Sequence, residues 1–168
     1  MRKTALVIAI VLVATAVNPV SAKTLSEEQK GLISTNCSSV KLQLKRVQKD
    51  DARNRVHLGA QYESIATNLM MNLNLRLVKN GMANAETAEQ QTTFVSERNR
   101  FKNDYIGYSQ ELEKLINIDC KAEPQKFYDQ LEITRAKRND IDSSVKRMNE
   151  ILNRHRESVK GIREGLKK

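Results

Sequence analysis

Tryptophan is absent from the chain, its aromatics stop at three Phe and four Tyr, and two Pro and six Gly are thinly spread over 168 residues. β-Sandwiches, barrels and loop-built ligand cradles draw on aromatic and turn-forming residues at close intervals, so this poverty argues against them and leaves helix as the default. Also missing are a serine elbow, an HExxH pair, a Gly-rich phosphate loop and carboxylates spaced to share a pocket. The two histidines, His57 and His155, stand alone in their stretches. Enzymatic chemistry, a cofactor and a metal are therefore not expected.

Long hydrophobic runs are scarce, with one exception at the start. Met1-Arg2-Lys3 precedes a stretch of small and apolar residues from Ala5 to Val17, followed by Asn18-Pro19-Val20-Ser21-Ala22. A basic head, an apolar centre shorter than the roughly 20 residues that span a bilayer, and small residues at Val20 and Ala22 form the pattern of a signal peptide over 1–22, cleaved after Ala22. Retention of that segment as an anchor is the rival reading. Cleavage removes two of the 29 basic residues and none of the 20 acidic ones, leaving 27 against 20, net +7, with no membrane span. Secretion or an extracytoplasmic place at the cell envelope is the expected location.

Cysteine is limited to Cys37 and Cys120. In an exported chain two thiols most simply form one disulfide. Zinc would need two further ligands, which neither histidine is placed to supply, and no CxxC redox motif is present.

What the chain does have is apolar periodicity. Ser26 and Gln29 form a capping-box pattern that opens a short helix, and Gly31 with Ser34-Thr35-Asn36 is expected to interrupt it, giving a short helix and loop over 23–36. Three long helices follow, at about 38–79, 85–119 and 124–166. In the first, Val40, Leu44, Val47, Leu58, Tyr62, Ile65, Leu69, Leu73 and Leu77 keep steps of three, four or their multiples, and Asn80-Gly81 supplies a stop. In the second, Phe94, Arg98, Phe101, Tyr105, Tyr108, Leu112 and Leu115 alternate by four and three. The third begins at Pro124 and holds the same alternation from Phe127 through Met148 and His155 to Leu166. Leu73 to Leu77 also alternates like a strand ahead of Asn-Gly, but nothing after Gly81 offers a partner. Short links make neighbours antiparallel, so the expected fold is all-α: an elongated antiparallel three-helix bundle or coiled coil over 37–168.

Cys37 precedes the first long helix and Cys120 ends the second, so the antiparallel arrangement brings both to one end. The staple closes a loop worth roughly 4 kcal/mol in the chain-entropy model. It also sets a register in which residue n of the first helix lies beside about 157 minus n on the second and n plus 87 on the third. Asp51, Tyr105 and Arg138 then share a level, with Arg55 close by, and are expected to form a buried polar layer that fixes alignment.

Between Leu69 and Met82, Leu69, Met70, Leu73 and Leu77 fall on the inner face, whereas Met71, Leu75 and Val78 point away. With Met82 these make a second apolar stripe at the unstapled tip, expected to meet a protein partner or a second copy. Repacking by Val159, Ile162 and Leu166 is the competing outcome. Val145 to Lys168 carries eight basic residues against Glu150, Glu157 and Glu164, which repeat every seven and read as an ion-paired solvated face. Any surplus would meet lipid head groups or envelope polyanions before nucleic acid, for which the aromatic-interleaved basic motif is missing.

The run Asn36-Cys37-Ser38-Ser39-Val40-Lys41-Leu42-Gln43-Leu44, continuing through Lys49 to Gly59 and again from Asn74 to Asn80, resembles small secreted coiled-coil proteins of ultra-small candidate-phylum bacteria. That resemblance implies no activity. In size, basicity, export and helical rods the chain also looks like periplasmic holdase chaperones of the Skp type, although those lack this disulfide and their trimerising strand segment has no counterpart here. The expected function is a non-enzymatic scaffold, adhesion or partner-binding role at the cell envelope. The alternative is a holdase acting through the apolar tip at 69–82.

Overall fold

The computed structural model describes residues 24–166, so the leader assigned to 1–22 lies outside them. The described residues form three antiparallel helical rods with no strand among them. The first rod runs from α1 (Glu27–Ser64) through a π-helical segment (Ile65–Met71) into α2 (Asn72–Lys79); α3 (Ala85–Asn117) and α4 (Pro124–Gly165) are the other two.

The capping box at the start of α1 is formed: the Ser26 hydroxyl accepts from the Gln29 amide, and the Gln29 side chain accepts from the Ser26 amide. The expected break at 31–36 does not occur, and α1 runs unbroken through Cys37. A Gly inside a helix costs only about 1 kcal/mol, and tertiary contacts outweigh it. Leu25 is buried and its amide donates to Gln125 Oε1, the Ser34 hydroxyl donates to the Lys121 carbonyl, and Asn36 bonds back to the Leu32 carbonyl. Within the segment expected as a short helix and loop, residues 27–36 are therefore the first turns of the long rod.

The stop at Asn80-Gly81 is a Schellman cap. Gly81 takes φ +68°, the Gly81 amide donates to Val78 and the Met82 amide to Leu77. Across the turn, Asn84 caps α3 by accepting from the Thr87 amide. Pro124 occupies the first turn of α4, where its missing N–H is not needed.

α3 and α4 form the tight pair. Phe94, Leu115, Met148 and Ser144 are fully buried between rods, and the pairing of Glu97 with Arg147 at 2.7 Å matches the register read from the sequence. The core divides into two clusters. One, at the stapled end, gathers Cys37, Cys120, Tyr108, Leu112, Leu115 and Phe127. The other gathers Tyr62, Ala66, Met70, Phe94, Phe101 and Met148 towards the tip. α1 is seated differently from its neighbours: among its residues only Cys37 and Tyr62 are buried, and nothing between them is.

The Cys37–Cys120 disulfide is formed, with Cα atoms 5.5 Å apart and both side chains buried. A formed disulfide is compatible with an extracytoplasmic location. Among the described residues no helix is long and apolar enough to cross a membrane.

Candidate functional site

Two places along the rods carry the residues singled out above. The first lies between the two core clusters. Here Asp51 Oδ2 accepts a hydrogen bond from the Tyr108 hydroxyl at 2.7 Å, and Arg138 Nη2 stands 3.4 Å from Asp51 Oδ1. The Arg55 guanidinium lies over the Tyr105 ring, 5.0 Å from its centre, and Tyr105 meets Tyr108 edge-on.

Asp51 and Arg138 thus meet at the expected level, but the hydroxyl partner is Tyr108 rather than Tyr105. The cause is at the end of α3. Helix stops at Asn117 and Ile118 is extended (φ −66°, ψ 136°), and an extended residue advances about twice as far as a helical one. Counting back from Cys120 as though it were helical therefore places α3 two residues out of step at this level. The layer is also less buried than expected, since Asp51 is half-buried and the Arg138 side chain is exposed. Burial and then the bond to Asp51 push the Tyr108 phenol well above its ordinary pKa, so it stays a donor. Beside these groups a groove of about 250 Å³ opens between α1 and the α3–α4 pair, floored by Phe101, Ile141 and Val145.

The second place is the unstapled tip. Leu75 and Val78 are 60% and 63% exposed, with Met71 at 40% and Met82 at 36%, so the outward stripe is uncovered. Val159 stands beside Leu69 and Leu73, Ile162 is half-buried and Leu166 is exposed, and the stripe at Met71, Leu75 and Val78 stays open. The inner face differs from the expectation at one position: Leu69 is 63% exposed while Ala66 and Met70 are buried. The π-helical turns explain this. Seven residues wound more widely than an α-helix set the phase back by about one residue, which turns Leu69 out and brings Ala66 in. Thr67 bonds back to the Glu63 carbonyl, and Asn72 to the Asn68 carbonyl, across these turns.

Beneath the stripe is a polar network that the seam pattern reached only through His155. His155 Nδ1 lies 3.0 Å from Gln90 Oε1, while the Gln90 amide donates to Ser158 and to Glu86. Because that amide nitrogen is used as a donor, its oxygen accepts and the His155 proton sits on Nδ1. Burial lowers the His155 pKa below its ordinary value. Asn74 ties α2 to α3 by donating to the Thr87 carbonyl and to Gln91 Oε1, and its own oxygen is buried without a partner. This network lies at right angles to the apolar pattern, as a polar run across three rods, so heptad counting does not find it.

The basic C-terminal face is paired in a different way from the expected one. Of the three Glu that repeat every seven, only Glu157 is in an ion pair among the described residues, with Lys160 at 4.0 Å. Lys146 pairs with Asp142, and Arg147 crosses to Glu97 on α3. Among the described residues no group of three or more His, Cys, Asp or Glu is gathered to hold a metal ion. Compared with protein-family models, curated proteins and solved structures, the chain matches none of them.

Proposed function

We propose that this chain is a non-enzymatic binding protein of the cell envelope, exported through its N-terminal leader, that engages a protein partner through the apolar stripe at its unstapled tip. The observation that carries the reading is the exposure of Met71, Leu75 and Val78 on a helical rod whose opposite face, at Leu77 and Met70, is fully packed, with Met82 exposed just past its cap. A helix needs one apolar face to fold against its neighbours; a second one in water stabilises nothing in the monomer. No acidic residue lies between Glu63 and Glu86, while Arg76 and Lys79 flank the stripe. The partner that suits it presents apolar side chains with acidic neighbours.

The variant Met71→Lys with Val78→Glu tests this. It is expected to keep the wild-type melting temperature, because both side chains are exposed, and to lose retention of envelope proteins by the immobilised chain. Retention equal to wild type removes the tip from the function. Holdase activity is the second reading, supported by the two methionines in the stripe, whose flexible thioethers adapt to varied surfaces. It predicts that the wild type, and not the double variant, slows aggregation of reduced lysozyme.

A further inference from the structure

The groove between the two core clusters arises from a choice of residues in α1. After Val47 the positions of this helix that face the groove are taken by Asp51 and Arg55, with the exposed Asn54 at its rim, until apolar character returns at Leu58. The opposing walls stay aromatic and aliphatic: Phe101 and the Tyr105 ring on α3, Ile141 and Val145 on α4. Three rods with matching apolar seams close at native density. Here a polar helix faces an apolar floor, and a space of about 250 Å³ remains.

The lining carries two carboxylates and two guanidinium groups, Asp51 and Asp142 with Arg55 and Arg138, and the carboxylates are the better partnered. Asp51 is held by Tyr108 and Arg138, and Asp142 by Lys146 at 2.7 Å. Arg55 rests on the Tyr105 ring and has no carboxylate within ion-pair distance among the described residues. Arg138 reaches Asp51 only at 3.4 Å and leaves the rest of its guanidinium to the opening. Two planar donors thus stand over an apolar floor that runs from the Arg138 level to the Val145 level, roughly 10 Å by helical rise.

We propose that this groove binds a small amphipathic carboxylate, its chain laid on Phe101, Ile141 and Val145 and its head group held by Arg55 and Arg138. Guanidinium groups grip a carboxylate through two parallel hydrogen bonds, which a hydroxyl matches poorly and an ammonium not at all. The site is separate from the tip and does not depend on the tip's role.

Hexanoate, hexanol and hexylamine carry the same chain under different head groups and serve as probes. The oxidised chain bearing Met71→Lys and Val78→Glu, which silences the tip, is titrated with each while its methyl resonances are followed. Hexanoate is expected to shift Leu58, Ile141 and Val145 saturably, with an affinity at least tenfold above that for hexanol or hexylamine. Arg55→Gln is expected to bring hexanoate down to the hexanol level with melting unchanged. Leu58→Trp, which fills the space from the α1 side, is expected to abolish the shifts. Equal binding of the three probes, no saturable binding, shifts centred away from the groove, or hexanoate affinity indifferent to both substitutions would each overturn the proposal.

Discussion

At the scale of single residues, Asp51 carries more than its partners. It accepts from Tyr108 at 2.7 Å in a half-buried setting, whereas its contact with Arg138 is longer and wet. A hydrogen bond to a charged group is worth about 1.5–3 kcal/mol, and a surface ion pair about 0–1. Asp51→Ala is therefore expected to lower the unfolding free energy in urea by about 2 kcal/mol, since it leaves the Tyr108 hydroxyl inside without an acceptor. Tyr108→Phe should cost about 1 kcal/mol, because water reaches the freed carboxylate, and Arg138→Ala less still. A melt indifferent to Asp51→Ala would end its role in holding the layer. The adjacency of Asp51 and Arg138 was legible from cysteine register alone. The identity of the tyrosine was not, since it turns on three non-helical residues that no periodicity marks.

His155 makes a second residue-level prediction, with a definite sign. Its folded pKa is depressed by burial below the ordinary value of about 6.5. Above that pH the folded and unfolded chains both hold it neutral, and stability is full. Below it the unfolded chain binds a proton that the folded chain resists, so stability falls as the pH drops. Melting temperature should decline from about pH 7 towards about pH 5, and His155→Asn, which keeps a donor for Gln90, should flatten that decline. An equal slope in both proteins refutes the assignment.

At the scale of the element, the informative departure is the π-helical segment. Regular winding places Leu69 inside, and it is the winding that changes. The buried residues Tyr62, Ala66 and Met70 are separated by two successive steps of four, followed by Asn74 after another four and Leu77 after three. Such a run exceeds what 3.6 residues per turn can hold on one face, and it is the signature that an apolar-only count misses because Ala66 and Asn74 are not counted. Removing one residue restores the alternation: without Thr67 the same residues fall at steps of four, three, four and three. Deletion of Thr67 is expected to leave a folded protein within about 1 kcal/mol of wild type. Deletion of Lys102, an exposed residue in the regular α3, should cost several kcal/mol by rotating Phe94 and Phe101 off the core. Circular dichroism melts of the two deletions decide it; similar losses would mean the π turns are required for folding. The cap that follows was fully legible: Gly81 sits at φ +68°, and Gly81→Ala should cost about 1 kcal/mol by forcing a Cβ into the left-handed region.

At the scale of the whole molecule, the three rods are not equivalent. α3 and α4 bury Phe94, Leu112, Leu115, Phe127, Met148 and Ile151 against one another and against the ends of the first rod. α1 contributes no buried side chain from Ser38 to Gln61, a stretch held at one end by the disulfide and at the other by Tyr62 and Met70. Burial of apolar surface is the main source of local stability, and a rod whose fully buried side chains lie only at its ends, with the half-buried Val40, Leu44 and Leu58 and the Asp51 layer between them, opens there at less than the global free energy. Amides of residues 38–61 are thus expected to exchange with deuterium faster than those of 94–115 or 127–152 in the oxidised protein. Replacing Cys37 and Cys120 by Ser removes one clamp and restores chain entropy worth roughly 4 kcal/mol to the unfolded state. Exchange should then rise most steeply from the start of α1 to about residue 61, while α3 and α4 keep the larger part of their protection. Uniform exchange across the three rods, or a loss of protection spread evenly on removal of the disulfide, would show instead that the bundle opens as one unit and that α1 is as firmly seated as its partners.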